Sequence, residues 1–264
     1  MKRVLLALAL VVSFSFAANA QFGKLKVNKK TVDAVSKGVK SFTISDAELK
    51  GYADEATKWE DEHNHLCKTT DQYENTKAYA ARLEKIVANV PADLIKEYNL
   101  DIKAYHVTDV NAFARPNGAI RIFTSLMDLM TDDQILAVVG HEIGHIVNKD
   151  SKDAFVTALR MSALKDAAGA VGGNAVSTLT DSQLGDLAEA LGNAQYSQKQ
   201  ENGADDYGYD MLKKIGKDPS GMASSLGVLL GLQEEAGTPE NSKFNKLFSS
   251  HPDLKKRIER LNKK

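Results

Sequence analysis

The sequence predicts an α+β fold, mostly helical, with one small β-sheet beside a helix that carries His-Glu-x-x-His. Three observations carry that expectation. Apolar residues recur at helical spacing in Tyr79–Val90, YAARLEKIVANV, and around Val138–Val147, VVGHEIGHIV. The period changes to strand type in IKAYHV and AIRIF, which Arg115-Pro-Asn-Gly118 separates as a turn. Capping boxes at Ser45-Asp-Ala-Glu48 and Thr131-Asp-Asp-Gln134 mark two helix starts.

Residues 1–20, MKRVLLALALVVSFSFAANA, open with Lys2 and Arg3, run apolar from Val4 and end on Ala18-Asn19-Ala20, the pattern of a cleavable signal peptide. The apolar run falls short of the ~20 residues that a spanning helix needs. The mature chain is therefore expected to start near Gln21 and to work in the periplasm or outside the cell. Lipid anchoring is not expected, because Cys67 is the single cysteine and stands far from the cleavage point. Residues 21–44 read as a polar, lysine-rich lead-in, and 45–264 as the folded domain.

Ser45 should start a long helix reaching the region of His65, and the next helix should end at Pro91. After the strands comes the helix that holds VVGHEIGHIV. Residues 153–195, rich in Ala, Gly, Ser and Leu, suggest two or three closely packed or mobile helices. Gln198–Ile215 reads as a helix stopped by Gly216 as a left-handed cap, Pro219–Glu235 as another, and His251-Pro252 leads into a basic closing helix.

Removing the leader takes the charge from 34 basic against 35 acidic residues to 32 against 35. No strongly basic block remains apart from the short C-terminal tail, so nucleic acid is not an expected partner. One cysteine forms no internal disulfide, which leaves stability to an ordinary core. Cys67 reads as a semi-buried structural thiol. If His63-x-His65-x-Cys67 is helical, its residues two apart diverge by about 200° and do not converge on an ion, so a structural or surface role is expected.

Histidines four apart on a helix are separated by about 40° of rotation and roughly 6 Å of rise, so His141 and His145 share a face and can share one ion. Glu142 lies about 100° further round, where a general base for water belongs. Gly140 and Gly144 each weaken a helix by about 1 kcal/mol relative to alanine, so another backbone should pack close to this one. Two histidines need a third protein ligand to leave zinc one open position. Glu201 is the preferred candidate, and Asp205, one turn later, is placed to accept a hydrogen bond from the free nitrogen of a ligating histidine.

HEIGH followed downstream by E-x-x-x-D resembles the gluzincin metallopeptidases. VNAFARPNGAIRIFTSLMDLMTDDQILAVVGHEIGHIVNKDS and SSHPDLKKRIERL extend the resemblance to peptidase family M48, nearest in style to its soluble periplasmic LoiP-like and BepA-like members. That resemblance covers residues from Ser45 to the C-terminus and implies a zincin-like fold. It implies one Zn2+ per chain on His141, His145 and Glu201, with Glu142 as catalytic base and Asp205 behind the ligands. It implies further that Asn111, Ala112, Phe113 and Ala114 form an edge strand that pairs with an extended substrate. His251 would approach the metal cleft, donating to a developing oxyanion or filling the open position at rest. Arg115-Pro-Asn-Gly118 departs from the apolar-Pro-Gly-Gly form common in the family.

The expected function is zinc-dependent endopeptidase action on misfolded or envelope polypeptides. The alternative is a periplasmic chaperone or assembly factor with latent protease activity. Polypeptides are the expected partners, peripheral contact with the cell envelope is an option, and oligomeric state is left unassigned.

Overall fold

The computed structural model describes residues 44–165, 179–236 and 245–264. The expected signal peptide and the lead-in up to residue 43 lie outside the described residues, as does part of the Ala/Gly-rich stretch. The order is α1 (Asp46–His63), α2 (Glu74–Val87), α3 (Ala92–Glu97), β1 (Asp101–Tyr105), β2 (Ala112–Ala114), β3 (Ala119–Phe123) and α4 (Thr124–Leu129). Then follow α5 (Asp132–Val147), α6 (Asp150–Lys165), α7 (Asp181–Gly192), α8 (Gln198–Lys214), α9 (Ser220–Ala236), α10 (Asn245–Ser250) and α11 (Leu254–Leu261). No helix among the described residues is long and apolar enough to cross a membrane.

Both expected capping boxes form. Ser45 accepts from the Glu48 amide while Glu48 takes the Ser45 N–H, and Thr131 and Gln134 do the same at the start of α5. Gly216 sits at φ +73°, the left-handed conformation expected beyond α8. α1 reaches His63, close to the expected end near His65, and stops there. Asn64 turns extended, Leu66 makes a bridge to Tyr105, and the segment after His63 is not helical. His63 then faces the Trp59 carbonyl at 2.8 Å, His65 pairs with Asp71 at 2.9 Å, and Cys67 is buried, so the three side chains have separate partners.

The sheet has three strands in the order β1-β3-β2, with β1 parallel and β2 antiparallel to the central β3. Phe113 pairs with Arg121, the Phe123 amide donates to Asn111 O at 3.0 Å, and the Arg115 amide donates to Ala119 O at 2.8 Å. Residues 111, 113 and 115 therefore turn their backbone groups to β3, and Ala112 and Ala114 turn theirs to the free edge. The β2–β3 turn needs Gly118 at φ +96°, where a Cβ would run into the carbonyls of Tyr98 and Asn99.

The main core surrounds α5, whose Ile135, Leu136, Val139 and Ile143 are buried against the sheet, α8 and α9. A second, smaller cluster joins Leu49 and Ala53 of α1 to Phe155 and Leu159 of α6 and Leu187 and Leu191 of α7. Helices α5 and α8 pack backbone to backbone, as Gly140 and Gly144 required. A Cβ on Gly144 would stand 2.8 Å from Ala204 Cα, and one on Gly208 would stand 3.1 Å from the His141 amide nitrogen. That close approach puts the N-terminal turns of α8 over the histidine face of α5.

Candidate metal centre

His141 and His145 project from one face of α5 toward Glu201 in the first turn of α8. The Nε2 atoms of His141 and His145 are 3.1 Å apart, and Glu201 Oε1 is 3.3 Å from His145 Nε2. His251, just past α10, adds Nδ1 at 3.0 Å from Glu201 Oε1 and 3.4 Å from His141 Nε2. All four residues are buried, and their ligand atoms lie within 4.8 Å of one another.

The other ring nitrogens decide what these atoms want. His141 Nδ1 stands 3.0 Å from Asp205 Oδ1, and His145 Nδ1 stands 3.0 Å from Asp150 Oδ2. An ionised carboxylate only accepts, so each Nδ1 is the donor and each Nε2 is left to face the cluster, with a lone pair whenever its ring is neutral. Two such nitrogens 3.1 Å apart beside a carboxylate call for a proton or a metal cation between them. Ligands held about 2.0 to 2.1 Å from a tetrahedral zinc are roughly 3.3 Å from each other, the spacing found here. The residues fit zinc.

Electrostatics agree. Burial lowers His141 and keeps it neutral. Burial would also lower His145, but the Asp150 and Glu201 carboxylates outweigh it and push it up to about 9, so this ring holds a second proton that a bound metal ion would displace. Burial would raise Glu201, yet His251, His145 and Arg257 hold it well below the usual carboxylate range. Against the same effect of burial, Arg257 and His141 hold Asp205 low. The pocket favours positive charge.

Glu142 is buried beside the cluster, its Oε1 3.9 Å from His251 Nε2, and its Oε2 has no hydrogen-bond partner among the described residues. Two narrow clefts adjoin the cluster. Glu142 lines one of them, which runs from Val138 and His141 to Met222, Leu226 and Leu229. The other lies between Ala112 and Ala114 of β2, Ser151, Tyr196 and His251. The free edge of β2 thus opens into a cleft rather than onto bulk solvent, with Ala112 and Ala114 themselves buried.

The structure brings His141, His145, Glu142, Glu201, Asp205 and His251 together and places Asn111–Ala114 along the cleft wall. Three residues at the centre were not singled out from the sequence. Arg257 of α11 grips Asp205 through two hydrogen bonds and touches Glu201 Oε2. Asp150 opens α6 and holds His145. Tyr196 stacks on the His145 ring at 3.9 Å and 13°. Arg257 lies within SSHPDLKKRIERL, where its basic neighbours give it the look of a surface residue.

The sequence model of peptidase family M48 matches residues 75–264. The chain is 37% identical to Metalloprotease LoiP of Escherichia coli (strain K12) over 221 residues, covering 84% of this chain and 82% of that one. It is 33% identical to Metalloprotease YcaL of the same organism over 267 residues, covering 99% and 97%. A shorter stretch of 54 residues, 19% of each chain, is 50% identical to Protease HtpX of Actinobacillus pleuropneumoniae serotype 5b (strain L20). The chain belongs to peptidase family M48 and is a zinc metalloprotease acting on polypeptides.

Proposed function

We propose that the chain is an endopeptidase of the periplasm or cell exterior, secreted through residues 1–20, with residues 45–264 as its metallopeptidase domain. In this reading His141, His145 and Glu201 hold Zn2+, Glu142 is the base, Asp205 orients His141, and residues 111–114 bind substrate. The observation that carries it is the convergence of imidazole nitrogens and one carboxylate at tetrahedral spacing, next to a buried carboxylate with a free oxygen.

Zinc supplies Lewis acidity that acidifies water and polarises a carbonyl. The remaining steps belong to the chain. The N–H and C=O groups of Ala112 and Ala114 pair with an extended segment and fix the scissile bond over the cluster. Glu142 takes a proton from the attacking water as the C–O bond forms. It then delivers that proton to the leaving nitrogen as the C–N bond breaks, giving a carboxylic acid and an amine, which part as carboxylate and ammonium once the acid's proton passes to the amine. Strand addition requires unfolded backbone, which favours misfolded or envelope polypeptides as substrates.

His251 supports a second reading, a periplasmic chaperone or assembly factor with latent protease activity. Its Nδ1 fills the fourth corner of the cluster, where substrate or water would otherwise stand. The test is casein cleavage with and without a chelator, alongside Glu142→Gln and Glu201→Ala. Glu142→Gln should keep its zinc and lose cleavage, and Glu201→Ala should lose zinc. Robust turnover by Glu142→Gln sinks the base assignment; casein binding without chelator-sensitive cleavage favours the chaperone. Amino-terminal sequencing of secreted protein tests processing after Ala20.

A further inference from the structure

The mechanism above leaves Tyr196 without a role, although it lies against the reacting groups. Its ring lies flat on His145, 3.9 Å between centroids and 13° between planes, and 5.5 Å from the His251 ring. Its amide donates to the Ser250 carbonyl at 3.1 Å, which ties this segment to the turn that carries His251. Together with Ala112, Ala114 and His251 it lines the cleft beside the free edge of β2. Among the described residues its hydroxyl has no hydrogen-bond partner. A tyrosine hydroxyl, whose ordinary pKa is about 10, carries its proton at neutral pH.

A protonated phenol lining a cleft is a donor in want of an acceptor. A segment added to β2 would run between that strand and Tyr196, with its carbonyl above His145 and Glu201. His251 is poorly placed to serve the same oxygen while its Nδ1 is turned into the cluster. We propose that Tyr196 is a further catalytic residue, whose hydroxyl donates a hydrogen bond to the scissile carbonyl oxygen as the peptide becomes tetrahedral. This inference rests on the endopeptidase reading.

Tyr196→Phe isolates the hydroxyl, because it keeps the ring and its stack on His145; Tyr196→Leu removes both. Removal of one such donor costs about 10²- to 10³-fold in kcat. Tyr196→Phe should therefore lose that much kcat with KM, zinc content and unfolding temperature unchanged. It should also bind a phosphinic peptide, a tetrahedral mimic with leucine after the phosphorus, correspondingly more weakly by calorimetry. Tyr196→Leu should in addition bind zinc less tightly. Tyr196→Phe with kcat and phosphinate affinity within threefold of the parent overturns the proposal and leaves Tyr196 as a support for His145. If the parent cleaves no peptide, the endopeptidase reading falls, and the phosphinate comparison alone decides Tyr196. Absence of phosphinate binding by the parent overturns both.

Discussion

Arg257 donates through Nε and Nη2 to both oxygens of Asp205, at 2.8 and 2.6 Å, while Asp205 stands 3.0 Å from Nδ1 of His141. The closing helix is thus wired to the histidine face of α5 through one carboxylate. Arg257 also touches Glu201 Oε2, which leaves Oε1 as the oxygen that faces His145 and His251. The guanidinium thus holds Asp205 beside His141 Nδ1 and leaves Glu201 Oε1 turned toward the histidines.

Arg257→Met leaves buried Asp205 only the more distant Arg260, 3.6 Å away, as a cationic neighbour, a loss approaching the roughly 3 to 5 kcal/mol of a broken buried pair. Arg257→Lys keeps the charge but not the two-pronged geometry, and it separates folding from metal binding. It should fold with a smaller loss of stability while its zinc affinity falls about 10- to 100-fold. Denaturant unfolding and competition with a chromogenic chelator measure the two quantities. Zinc affinity unchanged in Arg257→Lys would mean that Arg257 serves stability alone.

The approach of α5 and α8 is tested by adding single methyl groups. A Cβ at position 144 meets Ala204 Cα at 2.8 Å and Ala204 O at 2.9 Å, both backbone atoms with no freedom to move aside. Gly144→Ala should lose about 1 to 3 kcal/mol through overpacking and, by pushing α8 outward, loosen zinc. Gly227, on α9, has nothing within 4 Å of the same added atom. Gly227→Ala should gain about 0.4 to 1 kcal/mol by restricting the unfolded chain, with zinc binding unchanged. Equal effects of the two substitutions on stability would disprove the tight helix contact.

Asp150 gives a parallel test on the other histidine. It follows α5 after a turn in which Lys149 adopts φ +66°, and its Oδ2 meets His145 Nδ1 at 3.0 Å. Asp150→Asn retains an acceptor but not the charge, so His145 should become a weaker ligand. Zinc affinity should fall about 10-fold or more, with little change in helix content. Titration calorimetry of the refilled protein against the parent reads the difference, and equal affinities would show that the charge of Asp150 does not act on the metal.

What could be read from the residues alone was local or periodic. The capping boxes at Ser45 and Thr131, the shared face of His141 and His145, and the stop at Gly216 all depend on neighbours within a turn or two. Gly140 and Gly144 announced a close neighbour, and Ala204 and Gly208 on α8 supply it. Arg257, Asp150 and Tyr196 escaped because their meaning arises only on folding. Arg257 is 52 residues from the Asp205 it holds, and a lysine-rich helix hides it. Asp150 resembles an ordinary residue at a helix start. The edge strand was anticipated, but the burial of Ala112 and Ala114 in a cleft follows from the 191–196 segment that faces them.

Cys67 offers a pH-dependent prediction away from the metal. It is 4% exposed, its amide donates to Ala104 O at 2.9 Å, and burial, followed by the charge of Asp71, pushes its thiol up to about 11. An unfolded cysteine titrates near 8.5. Because the folded value is the higher one, the native state favours the neutral thiol. That contribution to stability is complete below about pH 8.5 and is lost as pH rises toward 11. The parent should therefore lose more stability between pH 8 and 11 than Cys67→Ala, whose curve lacks this component. At pH 8 the native protein should resist a thiolate-selective reagent, and the rate of labelling should track unfolding as denaturant is added. Labelling of the native protein at the rate of an exposed thiol would show that Cys67 is not held in the core between α2 and the sheet.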